Sequence, residues 1–374
     1  MSSLPPLTIP AAVLAAAGET TRAVTGMTGV DLDAAELLGG RAALLGTVPA
    51  GSVSAGGATQ LLGAPDGWCA LTLARPDDVD AVPALIEGEL SDGDVWSAVR
   101  QCASELGVNR FAERARLLGL PVGVLDETAP SAPVVRRSGH RASPRPLRDL
   151  LVADLTSMWA GPLCGRLLAR AGATVVKVES RRRPDGTRSG SPEFFDWMNG
   201  EKLSYLADFE HRDAVLRLLS VADVVLESSR PAALHRRGLG PDDVPARDGR
   251  VWVQITGHGT MGERAHWVAF GDDAAVSGGL VGGTDTAPMF CGDAIADPLT
   301  GLDATRAVLE SLARGGGEVI AVAMAAVAAR YAQLSLTDEI PCCATVLTTG
   351  PAASLGADNE LVEHIVARRE ARTC

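Results

Sequence analysis

The chain has 374 residues, a formal net charge of −12, 46% hydrophobic residues and only 4% aromatic ones. That length carries two domains with real cores, built here from Ala, Leu and Val, and the acidic balance excludes nucleic acid and an anionic membrane as general partners. The seven cysteines are scattered, odd in number and without a C-x-x-C pair, so they read as reduced thiols of a cytoplasmic protein, with no metal implied. The apolar piece Ile9–Ala17 lacks a basic flank and is too short to cross a bilayer, so no membrane or targeting segment is expected.

Residues 1–30 read as weakly structured, with Pro5, Pro6, Pro10 and a run of small residues, and Asp31–Leu45 reads as a helix. Gly46–Ala58 is a Gly- and Ser-rich loop. Thr59–Leu62 and Trp68–Leu73 read as strands around the turn Ala64-Pro65-Asp66-Gly67. Helices are expected over Asp77–Ile86, Val95–Leu106 and Phe111–Leu118. Residues 1–130 thus form a small α+β domain. The Pro-, Ser- and Arg-rich stretch Ala129–Pro146 supplies a linker, 131–146, to a larger domain over 147–374.

The larger domain opens on LLVADLTSMWAGPLCGRLLARAGATVVKVE, residues 150–179. Leu150–Leu155 has the length of a buried strand, and Ser157–Gly161 breaks it. Pro162 fits a first helical turn, Leu163, Leu167 and Leu168 share one helical face, and Gly172 stops the helix. The β-branched run Thr174–Val178 is a second strand. Such a β-α-β unit places both strands in one parallel sheet, with the turn after the first at the ligand edge. Strands at Leu203–Ala207, Asp223–Glu227 and Val251–Ile255 alternate with helices at His211–Ser220 and Leu302–Leu312. The fold class is therefore α/β, a Rossmann-like parallel sheet domain with a second, smaller α+β domain. Glu179 ends the second strand where a dinucleotide fold carries its acidic residue. The turn has only Gly161 in place of G-x-G-x-x-G, which argues against nicotinamide binding.

WAGPLCGRLLARAGATVVKVE followed by Asp185, Thr187 and Arg188 resembles the opening of the class III CoA-transferases, the carnitine and bile-acid CoA-transferase family. Further stretches resemble it in the family's order: NGEKLSYLAD, ESSRPAALHRRGLG, TGHGTMGERAHWVAFGDD, and GDAIADPLTGLDATRAVLESLARGGGEVIAV. They cover nearly all of 147–330, and GPAASLGADNELVEHI is similar to the family's ending. The "DGW, strand, helices, G-x-P-x-x-x-V" order of the small domain stands at residues 30–130, ahead of the segment it usually follows, so the chain reads as circularly permuted.

What the resemblance implies is a CoA-transferase that moves CoA between an acyl-CoA and a carboxylic acid, with coenzyme A or acyl-CoA as substrate, no metal, and a homodimeric assembly. The nucleophile is expected at Asp297, which attacks the acyl-CoA to give a mixed anhydride. It precedes the apparent helix Leu302–Leu312, whose dipole favours an anion. Without the motif, Asp297 would serve as an N-cap carboxylate. Asp293 reads as a turn residue. CoA contacts fall by position on Ser157, Met158, Trp159 and Ala160, on Ser228 and Ser229, and on Arg236. Arg181 or Arg182 and Arg230 are phosphate candidates, with solvated charge as the alternative. Ser228–Ser229 departs from the family's Asn–Phe, and Glu210 lies near where some relatives carry Lys.

Gly56 and Gly57 match the glycine loop of the formyl-CoA transferase branch, which folds over the active carboxylate; a plain loop is the alternative. Asp272 occupies the slot where racemases of the family carry a His that pairs with the next Asp, here Asp273, so transfer is favoured over racemisation. A racemase or isomerase, a repurposed biosynthetic enzyme and a non-catalytic CoA-binding protein remain the other readings.

Overall fold

The computed structural model describes residues 7–90, 94–348 and 350–372; Pro5, Pro6 and Cys374 lie outside them. Its centre is a seven-stranded sheet. Six of the strands, Leu151–Leu155, Thr174–Glu179, Leu203–Leu206, Val224–Glu227, Val251–Thr256 and Glu318–Ala323, run parallel. Taken in chain order they lie 3-2-1-4-5-6 across the sheet, the doubly wound order whose switch point falls between the first and fourth strands. Both faces are covered, which is why these strands are nearly continuous apolar runs. Val152, Val175 and Val253 pack on one side with Leu163, Leu299 and Leu302. Val176, Val225 and Trp252 pack on the other with Leu218 and Val362.

Three stretches differ from the sequence expectation. Residues 11–28 form an 18-residue helix where a weakly structured segment was expected. Alanine is the strongest helix former, Pro10 precedes the first turn, and Gly29 closes the helix in the left-handed region with its N–H on Thr25 O. This helix and Ala34–Leu45 pack through Val13, Ala17, Leu37 and Leu38 into the core of the large domain, not the small one. The expected linker contains the strand Val134–Arg137, which pairs antiparallel with Glu318–Ala321 at the sheet edge. All four of its residues are exposed, so burial pattern gave no strand signal.

The small unit has its own core of Leu62, Leu71, Val82, Leu85, Val99 and Phe111. It comprises the sheet Thr59–Ala64, Gly67–Thr72 and Val122–Val124 with the helices Val95–Leu106 and Val108–Leu117 and two shorter ones, Pro76–Asp80 and Val82–Ile86. It docks against the helix Gly271–Ser277 so closely that a Cβ on Gly123 would lie 2.2 Å from Asp273 O. The C-terminal helix Asn359–Glu370 covers the other sheet edge, where Asp358 and Asn359 accept the backbone N–H groups of Ser204 (2.8 Å) and Leu206 (2.9 Å).

Candidate active site

Beyond the carboxyl ends of the first and fourth strands lie the turns 156–161 and 228–230. Polar residues buried in otherwise apolar strands hold the first turn. Lys202 Nζ bridges Asp154 Oδ2 and Pro162 O, both at 2.8 Å. Lys177 Nζ donates to Thr156 O and, at 2.6 Å, to Asp185 Oδ2. Asp185 in turn accepts the Met158 N–H at 3.2 Å, and Glu179 takes Arg188 at 2.6 Å. The sequence run Lys177, Glu179, Asp185, Arg188 is thus a brace that fixes backbone, with Met158 held at φ +75°. Side chains at positive φ persist where surroundings impose them, often at ligand sites. Gly161 permits the turn, since a Cβ there would sit 2.3 Å from Thr156 Cβ.

Asp297 stands in the first turn of the helix Ala296–Ala313, which begins ahead of the start expected at Leu302. It does not cap that helix, whose N-cap position is Ile295. Its Oδ1 instead accepts the N–H of Ala160, 3.3 Å away, and its carboxylate also accepts the N–H of Gly271. Ala160 and Gly271 are the first residues of the helices Ala160–Arg170 and Gly271–Ser277, so helix N-termini converge on the carboxylate and favour its anionic form. A Cβ on Gly271 would fall 2.3 Å from Asp297 Oδ2, so only glycine fits. Burial nevertheless outweighs these bonds and the nearby Arg41, pushing the Asp297 carboxyl up to about 6.

Three further carboxylates share this region. Asp293 stands in the bend after Gly292, where a turn residue was expected, and is in addition fully buried and ion-paired with Arg41; burial raises its carboxyl, and its Oδ2 has no partner among the described residues. Asp272 accepts Ala294 N–H at 3.1 Å and Thr59 Oγ1 at 3.4 Å, and burial together with Asp293 pushes it up to about 7. Asp273 accepts Thr72 Oγ1 at 2.8 Å and Phe270 N–H at 3.0 Å, and burial pushes it up to about 8.

Two cavities meet here. The smaller, about 210 Å³, has walls of Ile255, Trp267, Val268, Phe270 and Met324, with Asp297 at its edge. The larger, about 840 Å³, carries Arg181, Arg182, Arg183 and Arg237 together with Phe209 and His211, and also Glu179, Asp208 and Glu210, of which Glu210 pairs with Arg237 and Asp208 with His211. Ser157 and Ser229 line both, so the two form one path from an arginine-bearing groove to a carboxylate. Such a path suits a long anionic ligand with a reactive apolar end.

Of the residues expected at the site, Ser157, Met158, Ala160, Ser228, Ser229 and Arg230 line the smaller cavity, and Arg181 lines the larger. Trp159 is buried behind the turn, edge-on to Phe194 at 5.4 Å, with Arg41 5.7 Å from its ring. Arg236 is exposed and is not among the lining residues of either cavity; its neighbour Arg237 is, paired with Glu210 at 3.6 Å. Gly56 lies against Arg41, whose Nη2 would be 3.3 Å from a Cβ there, and Gly57 has φ +74°. This loop reaches the Arg41–Asp293 pair rather than either cavity. Arg41 and Trp267 escaped the sequence reading. The run of arginines at 181–183 was the visible signal for the groove, whereas nothing local to Arg41 marks it.

The family model of CoA-transferase family III matches residues 147–357. The succinyl-CoA–D-citramalate CoA-transferase of Chloroflexus aurantiacus is 32% identical over 195 residues, 47% of this chain and 48% of that protein. The succinate–glutarate CoA-transferase of Agrobacterium fabrum is 30% identical over 205 residues, 48% of this chain and 51% of that protein. A crystal structure of a CaiB/BaiF family protein from Brucella suis shares 31% identity at a TM-score of 0.46, covering 50% of this chain and 55% of that one. The chain spans about half the length of the curated relatives it matches.

Proposed function

The chain belongs to CoA-transferase family III, and on that premise we propose that it moves CoA between an acyl-CoA and a carboxylic acid with Asp297 as nucleophile. The observation that carries the proposal is the placing of the Asp297 carboxylate on the smaller cavity, which opens through Ser157 and Ser229 into the arginine-lined groove. The groove would take the phosphates of CoA through Arg181 and Arg237, and the smaller cavity would take the thioester end.

In the first step an Asp297 oxygen attacks the thioester carbonyl carbon. The C–S bond breaks, its electron pair leaves with sulfur as the CoA thiolate, and an acyl–aspartyl anhydride remains. The thiolate then attacks the aspartyl carbonyl, releasing the donor acid and leaving an aspartyl–CoA thioester. The acceptor carboxylate attacks that thioester, and the reverse of the first step hands CoA to the acceptor. The N–H groups of Ala160 and Gly271 hold the attacking carboxylate throughout its approach.

The formyl-CoA transferase-like branch is proposed on the Gly56–Gly57 loop, which borders the carboxylate cluster through Arg41. A homodimer, a cytoplasmic setting and a permuted chain order belong to the same proposal. The described cysteines are free thiols, and among the described residues no helix is long and apolar enough to cross a membrane. Incubation with succinyl-, propionyl- and oxalyl-CoA against a panel of free acids, read by mass spectrometry, tests it. Exchanged acyl-CoA is expected; binding of CoA with no exchange for any pair would make the protein a CoA-binding module instead.

A further inference from the structure

An attacking Asp297 must be ionised, yet it shares its surroundings with two other buried carboxylates, Asp272 and Asp293. The charged and polar groups that bear on it come from four directions. Ala160 N–H comes from one helix, Gly271 N–H and Asp272 from a second, Asp293 from the segment leading into its own helix, and Arg41 from the helix Ala34–Leu45. Arg41 is the cation that acts on all three carboxylates. Its guanidinium lies beside the edge-to-face pair of Trp159 and Phe194, 5.7 Å from each ring centroid, and is tied to Asp293. The side-chainless Gly56 lies on its far side.

We propose that Arg41, held by Asp293 beside the two rings, is the positioning residue that keeps the Asp297 carboxylate anionic and ready to attack. The inference rests on the reading of Asp297 as nucleophile. Arg41 favours the charged form of Asp297, and Asp293 opposes it as a like charge while fixing where the guanidinium sits. Arg41 is half-buried, and its ion pair with Asp293 and its place beside the two rings fix where its charge sits.

The test is the acid limb of the kcat/KM profile for acyl exchange. Removing Arg41 raises the pH at which Asp297 ionises, so Arg41→Gln should move the limb upward by about 1–3 pH units. Arg41→Lys, which keeps the charge, should leave it near the wild-type position. Asp293→Asn removes a like charge and should move the limb the opposite way, to lower pH. Should Arg41→Gln fail to fold because it strands a buried carboxylate, the double variant Arg41→Gln with Asp293→Asn decides: its limb should lie above that of Asp293→Asn alone, and coincidence of those two limbs overturns the proposal. Coincident limbs in all the folded variants, with losses only in melting temperature or KM, would make Arg41 a structural residue and overturn the proposal. Wild-type protein that neither exchanges acyl groups nor forms an adduct at Asp297 would instead remove the nucleophile itself, a distinguishable failure.

Discussion

Two charge clusters lie at opposite ends of the same parallel sheet, in inverse proportions. At the amino ends of the strands, Asp223 is buried and takes three guanidiniums: Arg145, Arg247 at 3.1 Å and Arg369 at 2.6 Å, besides the Leu151 N–H at 2.9 Å. Burial alone would raise its carboxyl, but the Leu151 N–H, Arg369 and Arg145 together hold it below the usual carboxylate value. At the carboxyl ends, Asp272, Asp293 and Asp297 draw on one shared guanidinium, Arg41, and all three carboxyls are pushed up. Oversupplied positive charge around Asp223 ties the segment before the sheet, the loop at Arg247 and the C-terminal helix into one body. Undersupplied positive charge around Asp297 costs stability and keeps carboxyls near neutrality, where they can exchange between charge states.

The sharpest way to break this contrast is at Asp297. Asp297→Asn should abolish acyl exchange, since an anhydride route has no bypass without a carboxylate, while the protein stays folded. Its stability should even exceed the wild type at pH 8 by on the order of 3 kcal/mol, because a carboxyl raised from 3.8 to about 6 destabilises the fold once ionised. That gain should fade as pH falls from 6 to below 4, where the wild-type carboxyl is protonated in both states. Asp223→Ala should do the reverse, costing about 1.5–3 kcal/mol in urea titration at pH 7 by removing the charge-assisted bonds to three partly exposed guanidiniums, with exchange by the folded fraction kept. Because the Asp223 carboxyl is held low, its stabilisation is present above about pH 4 and disappears as pH falls through its folded value. Melting curves of the two variants against pH should therefore diverge in opposite directions.

Smaller effects sharpen the groove and the reaction class. Arg237→Ala should weaken CoA binding by about 1.5–3 kcal/mol if the side chain makes a charge-assisted bond to phosphate, and Arg236→Ala should leave it unchanged; calorimetry reads both. Little deuterium should enter the α position of 2-methylacyl-CoA in D2O, because Asp272 is turned to the Ala294 N–H and Thr59 rather than lining the smaller cavity. Fast stereorandom incorporation would place racemisation ahead of transfer.

The sheet was legible because its strands are apolar and β-branched runs closed by glycine, as at Thr174–Glu179 after Gly172. The N-terminal helix was not, because prolines and alanines drew attention to irregularity while Ala11–Thr28 had the composition of a helix. Val134–Arg137 escaped because an edge strand exposed on every residue has no alternation to read. Asp297 was found through its motif, but its surroundings were not. Arg41 meets Asp293 across 252 positions of sequence, a contact no local pattern announces. Arg236 and Arg237 differ by one position just past the helix Pro231–His235, where one residue turns a side chain by about 100° in a helical geometry.

The most direct measurement is a covalent trap. Wild-type protein is held with acyl-CoA and no acceptor acid, quenched with hydroxylamine, and mapped by peptide mass spectrometry. Both the anhydride and the CoA thioester are activated carboxyls, so the predicted result is a hydroxamate on Asp297, absent from Asp297→Asn. A hydroxamate on Asp293 or Asp272 instead, or active acyl exchange with no carboxyl labelled at all, would contradict the assignment of Asp297 as the nucleophile.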